Sequence, residues 1–200
     1  MCSTMILWLN GAFGAGKTQT AFELHKRLPN SAIYDPEKAG YFIRDTSPKG
    51  VVSGDFQDVP LWRSINADLM SYIHSHYGGT IIVPMTLVNP EYYGQIIGEL
   101  RDRGIEVRHI VLYASKQTLI KRLRGRLEGG ANSWAVQQID RCLAGFESGI
   151  FENRIVTDEL TIDEVVEEAA RVFDVAIKPR NRNPIARWLG RILNQIKSIR

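Results

Sequence analysis

The stretch Gly11-Ala12-Phe13-Gly14-Ala15-Gly16-Lys17-Thr18 fits the pattern G-x-x-x-x-G-K-[ST]. Glycines at that spacing let the backbone curl until its N–H groups converge on an anion, a concavity that larger side chains would obstruct. The apolar run Met5–Asn10 enters the glycines as a strand would, and Thr18–Leu28 leaves them with Ala21, Leu24 and Leu28 at helical spacing. A helix beginning near Lys17 aims its positive end at the same anion. In that arrangement Lys17 reaches the β- and γ-phosphates of a nucleoside triphosphate, and the Thr18 hydroxyl ligates Mg²⁺. The expected cofactors are ATP and Mg²⁺, with Gly11 to Thr18 as the phosphate-binding set. Chance would match the pattern in a chain of this length less than about 1% of the time.

Downstream, strand-like and helix-like segments alternate. Ala32–Tyr34 reads as a short strand, and Asp35-Pro36-Glu37 opens a helix with proline in its first turn. Residues 45–55 are rich in Gly, Pro, Ser and Asp and read as a loop. Helical patterns follow over Leu61–Tyr77, from Asn89 to near Gly104, from Ser115 to Arg124, over Ser133–Gly145, and from the capping box at Thr161–Glu164 to Phe173. Strands are predicted at Thr80–Val83, Val107–Tyr113 and Ile155–Val156. Such alternation predicts an α/β fold with a five-stranded parallel sheet covered by helices on both faces.

The chain has 200 residues, 44% hydrophobic and 24% charged, which suits one globular domain and excludes a wholly disordered chain. The two cysteines form no framework and point to a cytoplasmic setting. The first residues carry no basic opening of a signal peptide, and no apolar run approaches the roughly 20 residues that cross a bilayer. The net charge of +3 is unevenly placed. Seven basic residues and no acidic one lie between Lys178 and Arg200, leaving 18 basic against 22 acidic residues, near −4, in the body. A body of that sign does not suggest a nucleic-acid surface. The organisation is then a domain over 1–177 and a basic tail over 178–200.

In parallel sheets of this kind ligands sit beyond the carboxyl ends of the strands. Asp35, Met85-Thr86, Ala114-Ser115 and Thr157-Asp158 end there. Asp35 is the candidate to orient an attacking hydroxyl, although Asp before Pro and Glu also makes a good helix cap. Arg122, Arg126 and Arg141 surround a flexible Gly129-Gly130 stretch, where arginines can stabilise transferring phosphoryl charge; a solvated basic helix face is the plainer alternative. Arg44 and Arg63 lie where substrate could enter, between the second and third strands. Trp62 and Trp134 either line that cleft or belong to the core. The four histidines lack metal-ligand spacing.

Ile6–Leu24, Tyr34–Lys38, Leu61–Arg63, Val83–Thr86 and Asn132–Cys142 together resemble the bacterial tunicamycin resistance family. More widely the chain is similar to small-molecule and nucleotide kinases such as shikimate kinase and chloramphenicol phosphotransferase. The resemblance implies a five-stranded kinase core using ATP and Mg²⁺, with a lid over residues about 124–136. It places Arg122 and Arg126 as lid arginines, the first of them also at the nucleotide base, and Asp35 as the substrate-side carboxylate. One departure stands out: the third strand ends Val83-Pro84-Met85-Thr86, without the usual metal-binding Asp. Thr18, water and Asp35 would then hold the metal, with Thr86 as a substitute polar contact.

The resemblance implies a tunicamycin-like nucleoside antibiotic as the partner and phosphorylation of one of its hydroxyls as the activity. An ATP-gated protein that sequesters the drug, and a housekeeping nucleotide or metabolite kinase, are the alternatives. Such a drug carries a fatty-acyl chain and partitions to membranes. In 184–200 the residues Ile185, Trp188, Leu189, Ile192, Leu193, Ile196 and Ile199 fall within an arc of about 140° on a helical wheel. A basic amphipathic helix of that kind can lie on the inner membrane surface, dock on the domain or pair two subunits.

Overall fold

The computed structural model describes residues 4–52, 54–125, 134–151 and 153–179. Five parallel strands, β1 (Ile6–Gly11), β2 (Ser31–Ile33), β3 (Thr80–Pro84), β4 (Val107–Tyr113) and β5 (Arg154–Val156), form one sheet in the order β2-β3-β1-β4-β5. β1 lies at the centre, with Ile6 opposite both Ile81 and Val107. Its side chains alternate between two cores, as a strand buried on both faces requires. Leu7 and Leu9 pack with helices α1 (Lys17–Arg27), α6 (Lys116–Arg124), α8 (Ile139–Phe146) and α9 (Ile162–Val172), whereas Ile6 and Trp8 pack with α3 (Pro60–His76) and the 90–102 segment.

Local chemistry sets the helix ends. Ser115 accepts from Thr118 N to start α6, and Thr161 with Glu164 forms the capping box of α9. The helix expected from Asn89 to Gly104 is instead three runs, α4 (Pro90–Tyr93), a π-turn (Gly94–Gly98) and α5 (Glu99–Asp102). Two glycines weaken the α ladder there, and the wider turn lets the consecutive Ile96 and Ile97 both reach the core. Ser133–Gly145 likewise divides, into α7 (Trp134–Gln137) and α8, and α2 spans Glu37–Thr46.

Packing continues through Lys178, whose N–H donates to Arg27 O at 2.8 Å while Arg27 Nε donates to Lys178 O at 2.9 Å. The expected lid lies mostly, and the amphipathic tail wholly, outside the described residues, as does Arg126. Among the described residues no helix is long and apolar enough to cross a membrane.

Candidate functional site

β1 delivers the chain into the phosphate loop at Gly11, where φ is +146° and a Cβ would stand 2.6 Å from the Leu112 carbonyl oxygen of β4. Only glycine lets the loop lie that close to its neighbouring strand. Gly16 caps α1 in the left-handed conformation at φ +98°, without a side-chain cap. The first-turn amides of α1 therefore face the loop's concavity with no capping side chain in front of them. Lys17 Nζ lies across the loop, 2.9 Å from Gly11 O and 3.1 Å from Ala12 O, and Thr18 sits half-buried in the first turn.

Buried polar groups brace this loop from below. Asn10 Oδ1 accepts from Gly11 N at 2.8 Å and from Leu87 N at 2.9 Å, while its Nδ2 donates to Leu87 O and lies 3.0 Å from His109 Nε2. Burial lowers the His109 pKa to about 3, so the ring is neutral and accepts from Asn10. Cys142, fully buried, lies against the loop from α8. Burial pushes its thiol up, while the charges of Lys17 and Arg141 oppose that shift.

Three carboxylates lie in the turn into α2 and at the start of the 56–58 turn. Asp35, just past the end of β2, accepts from Glu37 N at 3.1 Å and so makes the turn into α2. Burial raises the carboxyls of both Asp35 and Glu37; the neighbouring Asp35 charge raises Glu37 further, and Lys17 opposes it. Tyr41 donates to Glu37 Oε2 at 3.3 Å, and its own hydroxyl is pushed up to about 12, first by burial. The third, Asp55, accepts from Gln57 N at 3.1 Å and from Arg141 Nη2 at 3.1 Å. Neither Glu37 nor Asp55 is singled out by the sequence reading. The Asp-x-Glu spacing after β2 was the available signal for the first. Asp55 comes from an irregular loop that has no periodicity to place it.

Two residues expected at substrate, Arg63 and Thr86, are buried and hydrogen-bonded within the protein. Arg63 is 7% exposed, donates to Gln57 O and Gln95 Oε1, and stacks 4.3 Å over the Tyr92 ring. Thr86 is 3% exposed and donates to Gly11 O at 2.8 Å. Arg44 is exposed and reaches Gly54 O at 3.3 Å. Arg122 donates to Thr157 Oγ1 at 3.0 Å and to Thr157 O, tying α6 to the end of β5. Beside it Asp158 accepts from Ser115 and Thr118, bonds that hold its carboxyl below the usual range. Trp62 is core, its N–H bonded to Pro36 O, whereas Trp134 is 52% exposed and meets Phe13 edge-on at 5.0 Å.

The cradle, its lysine and the Thr18 hydroxyl fit a nucleoside triphosphate with its Mg²⁺. Among the described residues no group of three or more His, Cys, Asp or Glu could hold a metal alone, so the cation would rest on Thr18 and the nucleotide.

A family model described as an AAA domain matches residues 7–142. The chain is similar to the tunicamycin resistance protein of Deinococcus radiodurans, at 32% identity and TM-score 0.76, covering 88% of this chain and 99% of that one. The chain is an AAA-domain protein of the tunicamycin resistance family. A sugar kinase from a Janibacter species (21% identity, TM-score 0.62, 86% and 96% covered) shares the family's fold. So does a gluconokinase from Sinorhizobium meliloti (15% identity, TM-score 0.63, 86% and 92% covered). No curated protein sequence matches the chain. The fold of this tunicamycin resistance family member is thus that of P-loop kinases.

Proposed function

We propose that the protein is an ATP-dependent kinase that phosphorylates a hydroxyl of tunicamycin or a related nucleoside-like compound. The observation that carries this reading is the phosphate cradle, with Lys17 lying across the loop and the uncapped start of α1 behind it; Asp35 and Glu37 at the β2–α2 junction are the carboxylates assigned to the acceptor side. In this reading Lys17 and the loop amides hold the triphosphate, and Mg²⁺ on Thr18 neutralises charge on its terminal phosphates. Asp35 and Glu37 accept a hydrogen bond from the acceptor hydroxyl, orient it and take its proton. Arg141, held by Asp55 at the start of α8, stabilises charge on the transferring group, with Arg122 and Arg126 at the lid. Drug-dependent release of ADP by the purified protein, abolished in Lys17→Ala, tests the assignment; ADP release that ignores the drug would refute it.

One observation favours a second reading. Thr86 stands where a metal-binding acid is usual and is buried on Gly11 O, which suits a protein that binds ATP and sequesters the drug without turnover. Protection saturating at one drug per protein would support that alternative.

The basic amphipathic pattern over 184–200 supports a peripheral contact with an anionic membrane, where an acylated drug would gather. Deleting 184–200 should release the protein from anionic vesicles; unchanged co-sedimentation would rule the contact out.

A further inference from the structure

We infer that a cavity beside the first half of β4, at the far end of that strand from the phosphate loop, is a second binding site and takes a small organic anion with a short apolar body. The site stands apart from the acceptor side of the proposed kinase. It communicates with the phosphate loop through His109 and Asn10.

β5 pairs only with Val111–Tyr113 of β4, so the outer edge of 107–110 has no strand against it among the described residues. A cavity of about 330 Å³ occupies that space, near the lower end of the range for small-ligand pockets. Val172 and Phe173 contribute apolar wall, and Arg101, Arg108, His109 and Asn153 supply polar groups; no carboxylate lines it among the described residues. Arg108 is already held by Glu106 and by the carbonyl oxygens of Phe173 and Asp174. Arg101 is exposed and forms no ion pair among the described residues. Its Nε and Nη2 donate to Val107 O and its Nη1 to the Tyr93 hydroxyl, which leaves N–H groups of the guanidinium unused.

His109 supplies a second donor. Asn10 Oδ1 accepts from the N–H groups of both Gly11 and Leu87, which fixes the orientation of the amide, so Nδ2 is the donor in the 3.0 Å contact with His109 Nε2. Nε2 is therefore bare, and the proton of the ring sits on Nδ1. Nδ1 has no acceptor among the described residues, although His109 is only 6% exposed. A buried donor without a partner is costly, and an anion in the cavity satisfies it beside the charge of Arg101. An acceptor on the Nδ1–H also makes Nε2 a stronger acceptor toward Asn10, since linked hydrogen bonds polarise one another. Asn10 in turn holds Gly11 N, so occupancy of the cavity firms the phosphate loop.

The test is titration of the full-length protein, its histidines ¹⁵N-labelled for NMR, with benzoate and with benzyl alcohol as the uncharged counterpart. Benzoate should bind at about millimolar concentration, the range for so small a ligand, and should shift the His109 Nδ1 resonance while Nε2 stays unprotonated. Benzyl alcohol should bind at least about tenfold more weakly, and Arg101→Gln should weaken benzoate to a similar degree. Saturation with a non-hydrolysable ATP analogue and Mg²⁺ should raise benzoate affinity about fivefold, and benzoate should raise nucleotide affinity by the same factor, because linkage is reciprocal. Arg101→Gln should leave nucleotide affinity alone unchanged and abolish the coupling, which separates the cavity from benzoate seated on the phosphate loop. An unmoved Nδ1 resonance, equal binding of the two probes, or benzoate that competes with the nucleotide would overturn the inference. No turnover enters these readouts, so the kinase reading can fail and leave this one standing.

Discussion

The hydroxyl of Thr86 donates to the carbonyl of Gly11 at 2.8 Å, which ties the end of β3 to the first residue of the phosphate loop. Asn10 adds a second tie by holding the N–H groups of Gly11 and Leu87 on one side-chain oxygen. The loop is thus braced from beneath by Thr86 and Leu87, just past β3, and by Asn10 of the strand that feeds it. Pre-organised donors need not reorganise when charge arrives, which is where such a cradle gains its strength.

Breaking the braces should cost stability and nucleotide binding together. Asn10→Ala leaves two buried backbone donors and His109 without their partner, a loss of about 2–4 kcal/mol. Thr86→Val keeps the shape and removes one hydrogen bond, about 1 kcal/mol. Thermal unfolding and ATP titration should both report the order Asn10→Ala worse than Thr86→Val. A nucleotide affinity untouched in either variant would show that the bracing is irrelevant to the loop.

Arg63 should behave as a structural residue. Arg63→Met removes a buried guanidinium and leaves Gln57 O and Gln95 unsatisfied, destabilising the fold by about 2–4 kcal/mol. Lys should rescue poorly, because a point charge cannot make the same forked contacts over Tyr92. Once folded at low temperature, the variant should retain its acceptor KM; a KM raised at unchanged stability would return Arg63 to the substrate.

Much of this was legible in the sequence, for reasons that differ by element. The glycine spacing and Lys17-Thr18 place the phosphate loop because the motif is a local demand on backbone shape. The helix starts at Ser115 and Thr161 were readable because capping is local chemistry too. The strand order was not read, since pairing of β1 with both β3 and β4 depends on contacts distant in the chain. Charged side chains were the least legible. Arg63 and Arg141 look alike in sequence, yet one lies inside beneath Tyr92 and the other at the surface on Asp55. Which way a long cation turns is decided by acceptors such as Gln57 O that only folding brings near.

His109 should make the protein acid-sensitive. Its folded pKa is lowered to about 3, so its contribution is fully present above the unfolded value near 6.5 and is lost as pH falls from there toward 3. At pH 5 the loss should be about 2 kcal/mol. His109→Gln, whose amide oxygen can still accept from Asn10, should flatten the decline in denaturation midpoint between pH 7 and pH 5. An equal decline in wild type and variant would contradict the assignment.

Asp35 and Glu37 titrate in the opposite sense. Burial raises both carboxyls, so their protonated forms favour the folded state, and stability from them grows as pH falls and is lost as pH rises through the raised values. In the proposed mechanism activity needs the ionised form, so the acid limb of kcat/KM should lie above the ordinary carboxylate range near 4. Asp35→Asn and Glu37→Gln should each lower kcat by at least about 100-fold if both carboxylates share the acceptor proton. Loss in only one variant would assign the base to that residue alone.

The most direct measurement is mass spectrometry of tunicamycin incubated with the protein, ATP and Mg²⁺, the drug in large molar excess. A kinase predicts drug carrying one added phosphate in amounts far beyond the protein present, and none with Lys17→Ala. Drug recovered unmodified, with or without tight retention by the protein, would contradict phosphoryl transfer as its function.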